Sequence, residues 1–284
     1  MMPGLSHMHL EAFSTAWVNK IQRASELETA RATYGGRTFT ESLSASDQLG
    51  AELYVISAGL GLVHAEDRIP HYNLTVSSGD GSINPWLASR GYMPSDWWSI
   101  LNQKLNKSYP IFNLAKKNTG LILVLPSTYL DLISSEFPFL NDEIREKIFI
   151  ITSTAGQQRL PIELKSRCLP YDERLNGSKE YQGTRNDFPQ RALKHLVNEI
   201  DFQNNPINTT QKKILDYLKS HEKPIIPTRI KLDDQQIKQL IQKNWSHCEG
   251  KRGSLHRFLR DTLLVACEQK RFGNLWNEVK IENS

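Results

Sequence analysis

No stretch of this sequence approaches the roughly 20 consecutive apolar residues that a membrane helix requires. The first residues, MMPGLSHMHLEAFSTAW, lack a basic region followed by a long apolar run, so no signal peptide is expected. Cysteine is scarce. Cys168, Cys248 and Cys267 are widely spaced and odd in number, which fits a reducing cytoplasm and argues against a disulfide framework. No Cys/His cluster has metal-ligand spacing; His247 and Cys248 stand alone as a pair, so neither a metal nor a cofactor is expected. The signatures GxxxxGK[ST], GxGxxG, GxSxG and HExxH are all missing, and GLGL at Gly59–Leu62 lacks both the lysine and the third glycine of a phosphate loop.

What is present alternates between strand and helix. Helical periodicity is read over Phe13–Ala32 and Glu41–Leu49, and again in DWWSILNQKLN, where Trp97, Leu101 and Leu105 share a face. Apolar strands are expected at Leu53–Ser57, Leu121–Leu125 and Lys147–Ile151, each ending in small or polar residues: SAG, PST and TSTAG. Continuous apolar strands separated by helices predict an open, mainly parallel α/β sheet with helices on both faces, whose ligands bind at the carboxyl ends of the strands.

The charge is uneven. Residues 205–284 hold 15 Lys/Arg against 9 Asp/Glu, whereas residues 1–204 hold 20 against 22. With DFQNNPINTT as a linker, this predicts an α/β domain over 1–204 and a small, basic, mainly helical module over 205–284. Helices are expected there at Gln211–Lys219, Asp233–Asn244 and Ser254–Gln269, with HEKPIIPTRIKL as a turn or short wing. In GKRGSLHRFLRD, Lys251, Arg252, Arg257 and Arg260 gather at or near a helix start, an arrangement that resembles a winged-helix recognition element; pairing on the helix surface is the plainer alternative. DNA, double-stranded or locally opened, is the expected partner, with no membrane involved.

The densest chemistry follows the first strand, where Ser57, Gly59 and Gly61 run into a polar loop with His64, Glu66, Asp67, Arg68, His71, Tyr72 and Asn73. Asp172 and Glu173 in LPYDERL follow the third strand. Carboxylates converging from two such loops can orient water or stabilise a developing cation; loop-stabilising ion pairs with Arg68 and Arg174 are the competing reading.

Three segments, YVISAGLGLV…IPHYNLT, LPYDERL and GTRNDFPQRAL, resemble a bacterial family found near phage-defence and DNA-modification genes. The resemblance covers most of the chain. It implies a uracil-DNA-glycosylase-like α/β fold, also seen in archaeosine-synthesis enzymes, and a phage-defence DNA glycosylase acting on glucosylated hydroxymethylcytosine. The position of Asn73 is often Asp in that family, so the catalytic group here is altered or lies elsewhere. On this reading Asp67 orients water or stabilises the cation, with Asn73 beside it and Asp172 in reserve. Tyr72 stacks on the flipped base, Ser57, Gly59 and Ser153 contact base or sugar, and Arg174 holds a phosphate. Arg37, in TYGGRTF, and Arg185 join the C-terminal basic residues on the DNA backbone. Two other classes stay open: a DNA-binding regulator with a non-catalytic cleft, and a nuclease holding magnesium with Asp67, Asp172 and Glu173.

Overall fold

The computed structural model describes residues 9–223, 225 and 227–282. It is a mixed α/β protein, mostly helical, and its strands pair in twos. Among the described residues no helix is long and apolar enough to cross a membrane. The opening methionines and parts of HEKPIIPTRIKL lie outside the described residues.

The expected open parallel sheet does not form among the described residues. Leu121–Val124 and Ile148–Ile151 do pair in parallel, Leu121 opposite Ile148, and a parallel bridge from Ile150 to Cys168 extends them by one segment. The first strand, Tyr54–Ser57, pairs instead with Gly61–His64 in an antiparallel hairpin, Tyr54 opposite His64 and Ser57 opposite Gly61. Part of the reason is local. Gly61 has φ +69°, and the Ser57 hydroxyl accepts from the backbone N–H groups of Gly59 (3.2 Å) and Leu60 (2.9 Å), closing a tight turn where a crossover was expected. Helix Leu10–Gln22 also ends early. The next segment becomes the strand Leu27–Thr29, antiparallel to Arg68–Pro70.

Two compact units divide the chain at Met1–Pro224 and Ile225–Ser284, twenty residues beyond the expected boundary. The helix Ile207–Lys219 belongs to the first unit because its apolar face is buried there: Ile214 and Leu218 pack with Leu196, Ile200 and Phe202. Gln211 adds hydrogen bonds to the carbonyls of Ser166 (3.1 Å) and Cys168 (3.0 Å). With this boundary the charge separates fully. Residues 1–224 hold 24 Lys/Arg and 24 Asp/Glu; residues 225–284 hold 11 and 7, so the second unit carries the entire net charge of +4.

The second unit builds its own core from three helices, Asp234–Lys243, Arg252–Asp261 and Gln269–Glu282, around Ile237, Ile241, Leu255, Leu259, Phe272 and Leu275. The single long helix expected over 254–269 is broken at Leu264, which sits at φ +53° ahead of the strand Val265–Ala266. That strand pairs in parallel with Ile230–Lys231 and leads into the last helix, so no hairpin wing forms among the described residues.

Beside the parallel strands, His195 is fully buried among Tyr171, Tyr181 and Tyr217. Its Nδ1 lies 2.8 Å from the Tyr171 hydroxyl, and its Nε2 has no protein partner. Burial, reinforced by the nearby His221, lowers its pKa from 6.5 to about 4. A depressed histidine pKa means that the unfolded chain takes up the proton first. Stability is therefore predicted to be level with respect to this group above pH ~6.5 and to fall by about 3 kcal/mol between pH ~6.5 and ~4. Urea unfolding across that range measures it: His195→Asn should flatten the slope, and an unchanged slope would assign the loss to other groups.

Candidate functional site

The turn at the end of Tyr54–Ser57 is held from two helices. The indole N–H of Trp97, in helix Pro94–Lys104, donates to the Ala58 carbonyl, and that of Trp17, in helix Leu10–Gln22, to the Gly59 carbonyl, both at 2.7 Å. Gly59 is buried, and a Cβ there would lie 2.7 Å from the Tyr72 ring and 3.1 Å from Trp17. Its missing side chain is the space the Tyr72 ring occupies.

Tyr72 reaches over the turn to Ser57. Its hydroxyl lies 2.6 Å from Ser57 Oγ and 2.7 Å from the hydroxyl of Tyr34, which caps the short helix Ala30–Thr33. Burial raises the pKa of Tyr72 above that of an ordinary phenol, and the neighbouring Tyr34 phenol adds to the effect. Burial also raises Tyr34, against the opposing pull of its hydrogen bond to Tyr72 and of the nearby Ser57 hydroxyl. Both phenols are thus neutral hydroxyls at physiological pH. Tyr129 faces the same cluster: its phenol adds to the upward shift of both tyrosines, and its hydroxyl is 3.5 Å from Thr75 Oγ1. Tyr129 stands at the start of helix Ser127–Ile133, directly after the strand Leu121–Val124. The cluster therefore gathers groups from the carboxyl ends of two strands, where chemistry was expected, but as hydroxyls and without a carboxylate.

The structure brings Ser57, Gly59 and Tyr72 together and leaves Asp67 out. The hairpin returns the chain to the start of the first strand, where His64 pairs with Tyr54, about 10 Å of strand away from Ser57. There Asp67 accepts from the backbone N–H of His64 at 2.9 Å, closing a turn. The other polar side chains of this loop are likewise committed to structure. Glu66 pairs with Arg31 at 2.7 Å, Arg68 donates to the Leu27 carbonyl at 2.7 Å, and His71 lies 3.7 Å from Glu28. Asn73 is exposed beside Tyr72, with its carbonyl oxygen against Gly81. Tyr72 itself is packed edge-on to Trp17, so its ring is not an open stacking platform.

A second group sits at the end of Ile148–Ile151. Ser153 caps helix Thr154–Arg159 by accepting from Gly156 N–H, and Thr154 donates to Glu173 at 3.2 Å. Asp172 caps the turn Glu173–Gly177 and binds Arg174 at 3.0 Å; these bonds outweigh burial and lower its pKa. Glu173 lies 3.6 Å from Lys223. Asp172 and Glu173 are thus ion-paired and stand apart from Asp67, and among the described residues no group of three or more His, Cys, Asp or Glu could hold a metal ion.

Of the basic candidates, Arg37 is engaged with Asp187 (3.5 Å) and Glu41 (3.7 Å), while Arg185 is exposed. In the second unit, Lys251 pairs with Glu249, and Arg260 with Asp261 at 2.8 Å. Arg252 and Arg257 are exposed and form no ion pair among the described residues; the Arg252 guanidinium lies over Gly273.

Tyr34 and Tyr129 complete the cluster and were not singled out as site residues from sequence. The available signal for Tyr34 was an aromatic side chain immediately before a Gly–Gly pair, in TYGGRTF. No family model, curated protein or solved structure matches the chain.

Gly59→Ala is predicted to displace Tyr72 and cost about 1–3 kcal/mol in urea unfolding, as overpacking does in a filled core. Gly120→Ala, whose Cβ would meet only the Lys147 carbonyl at 4.0 Å, serves as the control. Equal stability of the two variants would mean that the turn yields without cost.

Proposed function

We propose that this chain hydrolyses the N-glycosidic bond of a modified cytosine in DNA, with the reacting nucleotide at the Ser57–Tyr72–Tyr34 cluster and the duplex held by the basic second unit. The observation that carries the reading is the separation of roles. A charge-balanced unit offers neutral hydroxyls at the ends of its strands, and a separately cored unit carries the whole positive excess. Hydroxyl donors and acceptors suit a sugar-bearing base turned out of the stack, and a basic module suits the phosphate backbone. The resemblance of three segments to a phage-defence glycosylase family makes glucosylated hydroxymethylcytosine the first substrate to try. Asn73, exposed next to Tyr72, is the candidate for orienting the attacking water; Asp67, committed to its turn at the other end of the hairpin, is not.

One observation favours a second reading. The cluster contains no ionised carboxylate to stabilise a sugar cation, so a sensor that binds the modified nucleotide without cleaving it would use the same residues.

Incubation with unmodified, hydroxymethylated and glucosylated DNAs in chelator, with mass spectrometry of released bases, separates these readings. Base release in chelator is the expected outcome, slowed about 10²–10⁴-fold by Asn73→Ala and little changed by Asp67→Asn. Binding without release would establish the sensor. Activity that appears only with magnesium would establish a nuclease.

The ion pairs also rank the basic residues. Arg257→Ala is predicted to lower the log–log salt slope of DNA binding by about one unit, and Arg260→Ala by less because Asp261 already neutralises it. Equal slopes for both variants and the wild type would leave this helix as ordinary surface.

A further inference from the structure

The hydrogen-bond chain at the cluster has a direction. A serine oxygen has two acceptor positions, and both positions on Ser57 Oγ are taken by the backbone N–H groups of Gly59 and Leu60. The short 2.6 Å contact to Tyr72 must therefore use the serine proton: Ser57 donates and Tyr72 accepts. Tyr72 is wedged between Gly59 and Trp17, and among the described residues the only other hydroxyl within hydrogen-bond distance of its own is that of Tyr34, at 2.7 Å. If Tyr34 donated to Tyr72, Tyr72 would accept twice and its own proton, at a half-buried position, would have no acceptor within the cluster, at the expense of an unmade hydrogen bond. The arrangement that pairs the Ser57 and Tyr72 protons runs Ser57 to Tyr72 to Tyr34. It leaves the Tyr34 proton as the open end, and the occupied lone pairs of Ser57 prevent it from turning back.

We infer that Tyr34 is the ligand-facing residue of this site, a neutral hydroxyl held as a hydrogen-bond donor toward an acceptor oxygen or nitrogen on the bound nucleotide. Ser57 and Tyr72 are positioning residues that fix the direction in which Tyr34 donates. Tyr129, from the other strand end, lies near both phenols. The raised phenol pKa values agree with a donor that stays protonated. This assignment deepens the glycosylase reading and rests on it for the identity of the ligand.

The test uses the full-length protein labelled with [13Cζ]tyrosine and a single-stranded oligonucleotide carrying one glucosylated hydroxymethylcytosine. The Tyr34 signal, identified by its loss in Tyr34→Phe, should move when the oligonucleotide binds. Tyr34→Phe should raise the Kd about 3–10-fold, the effect of one uncompensated hydrogen bond, and slow any base release. Tyr72→Phe should do the same through loss of direction, with the Tyr34 signal shifted already in the free protein. A thermal unfolding curve within a few degrees of wild type shows that each variant folds. If the wild type binds but releases no base, while Tyr34 responds and Tyr34→Phe binds weakly, the glycosylase reading fails and the donor assignment stands. If base is released and Tyr34→Phe binds and turns over as the wild type does, the donor assignment is overturned and the glycosylase reading stands. A wild type that does not bind the oligonucleotide, or a Tyr34 signal that stays still at saturation, overturns the assignment as well.

Discussion

The first unit turns on a glycine held between two tryptophans. Trp17 and Trp97 each donate an indole N–H to consecutive carbonyls at Ala58 and Gly59, and each indole is otherwise buried in the main core. A buried carbonyl without a donor would carry a penalty of about 1–3 kcal/mol, so these bonds select one path for the turn. That path exists only because Gly59 has no side chain where the Tyr72 ring lies. The turn then directs the chain back along its own strand, and this decides which polar residues meet.

The consequence is a division between groups that are spent on structure and groups that are left over. Asp67, Glu66, Arg68 and His71 form a rich set of charges in sequence, yet each is satisfied within the loop and its neighbours. The same holds for buried polar groups elsewhere. Glu136 is almost fully buried, accepting from Trp98 Nε1 at 2.6 Å and from Phe112 N–H at 2.9 Å, and so caps the helix Pro110–Lys117. Arg191 is buried too, and ties Asp187, Asn176 and the carbonyls of Tyr181 and Thr184 into one loop. These groups are held in structural contacts rather than gathered at one point. The hydroxyls of Ser57, Tyr72 and Tyr34 differ because they bond to one another rather than to a charged partner.

Much of the local structure was legible in the sequence. Helices were found where the sequence placed them at Pro94–Lys104 and Asp234–Lys243, the second closed at its start by the capping box of Asp233 and Gln236. The parallel strands Leu121–Val124 and Ile148–Ile151 were recognisable from their apolar runs, since strands buried on both faces carry few polar residues. The basic character of the C-terminal part was also plain from composition. The unit boundary was misplaced because a linker-like composition at 201–206 precedes a helix whose face is buried in the first unit.

By itself, then, the sequence determined the periodic elements, the charge imbalance and the presence of a small-residue turn after the first strand, because these depend on side chains within a few positions of one another. It did not determine whether the chain after Ser57 crosses over or folds back. That choice rests on Trp17 and Trp97, 42 and 39 residues away from the carbonyls they bind, as well as on the local turn at Ser57 and Gly61. Only the tertiary structure could therefore separate Asp67 from Ser57 and join Tyr34 to Tyr72 across 38 residues. Local pattern reports which residues are near in the chain; pairing across such distances is set by which buried polar groups must be satisfied at once.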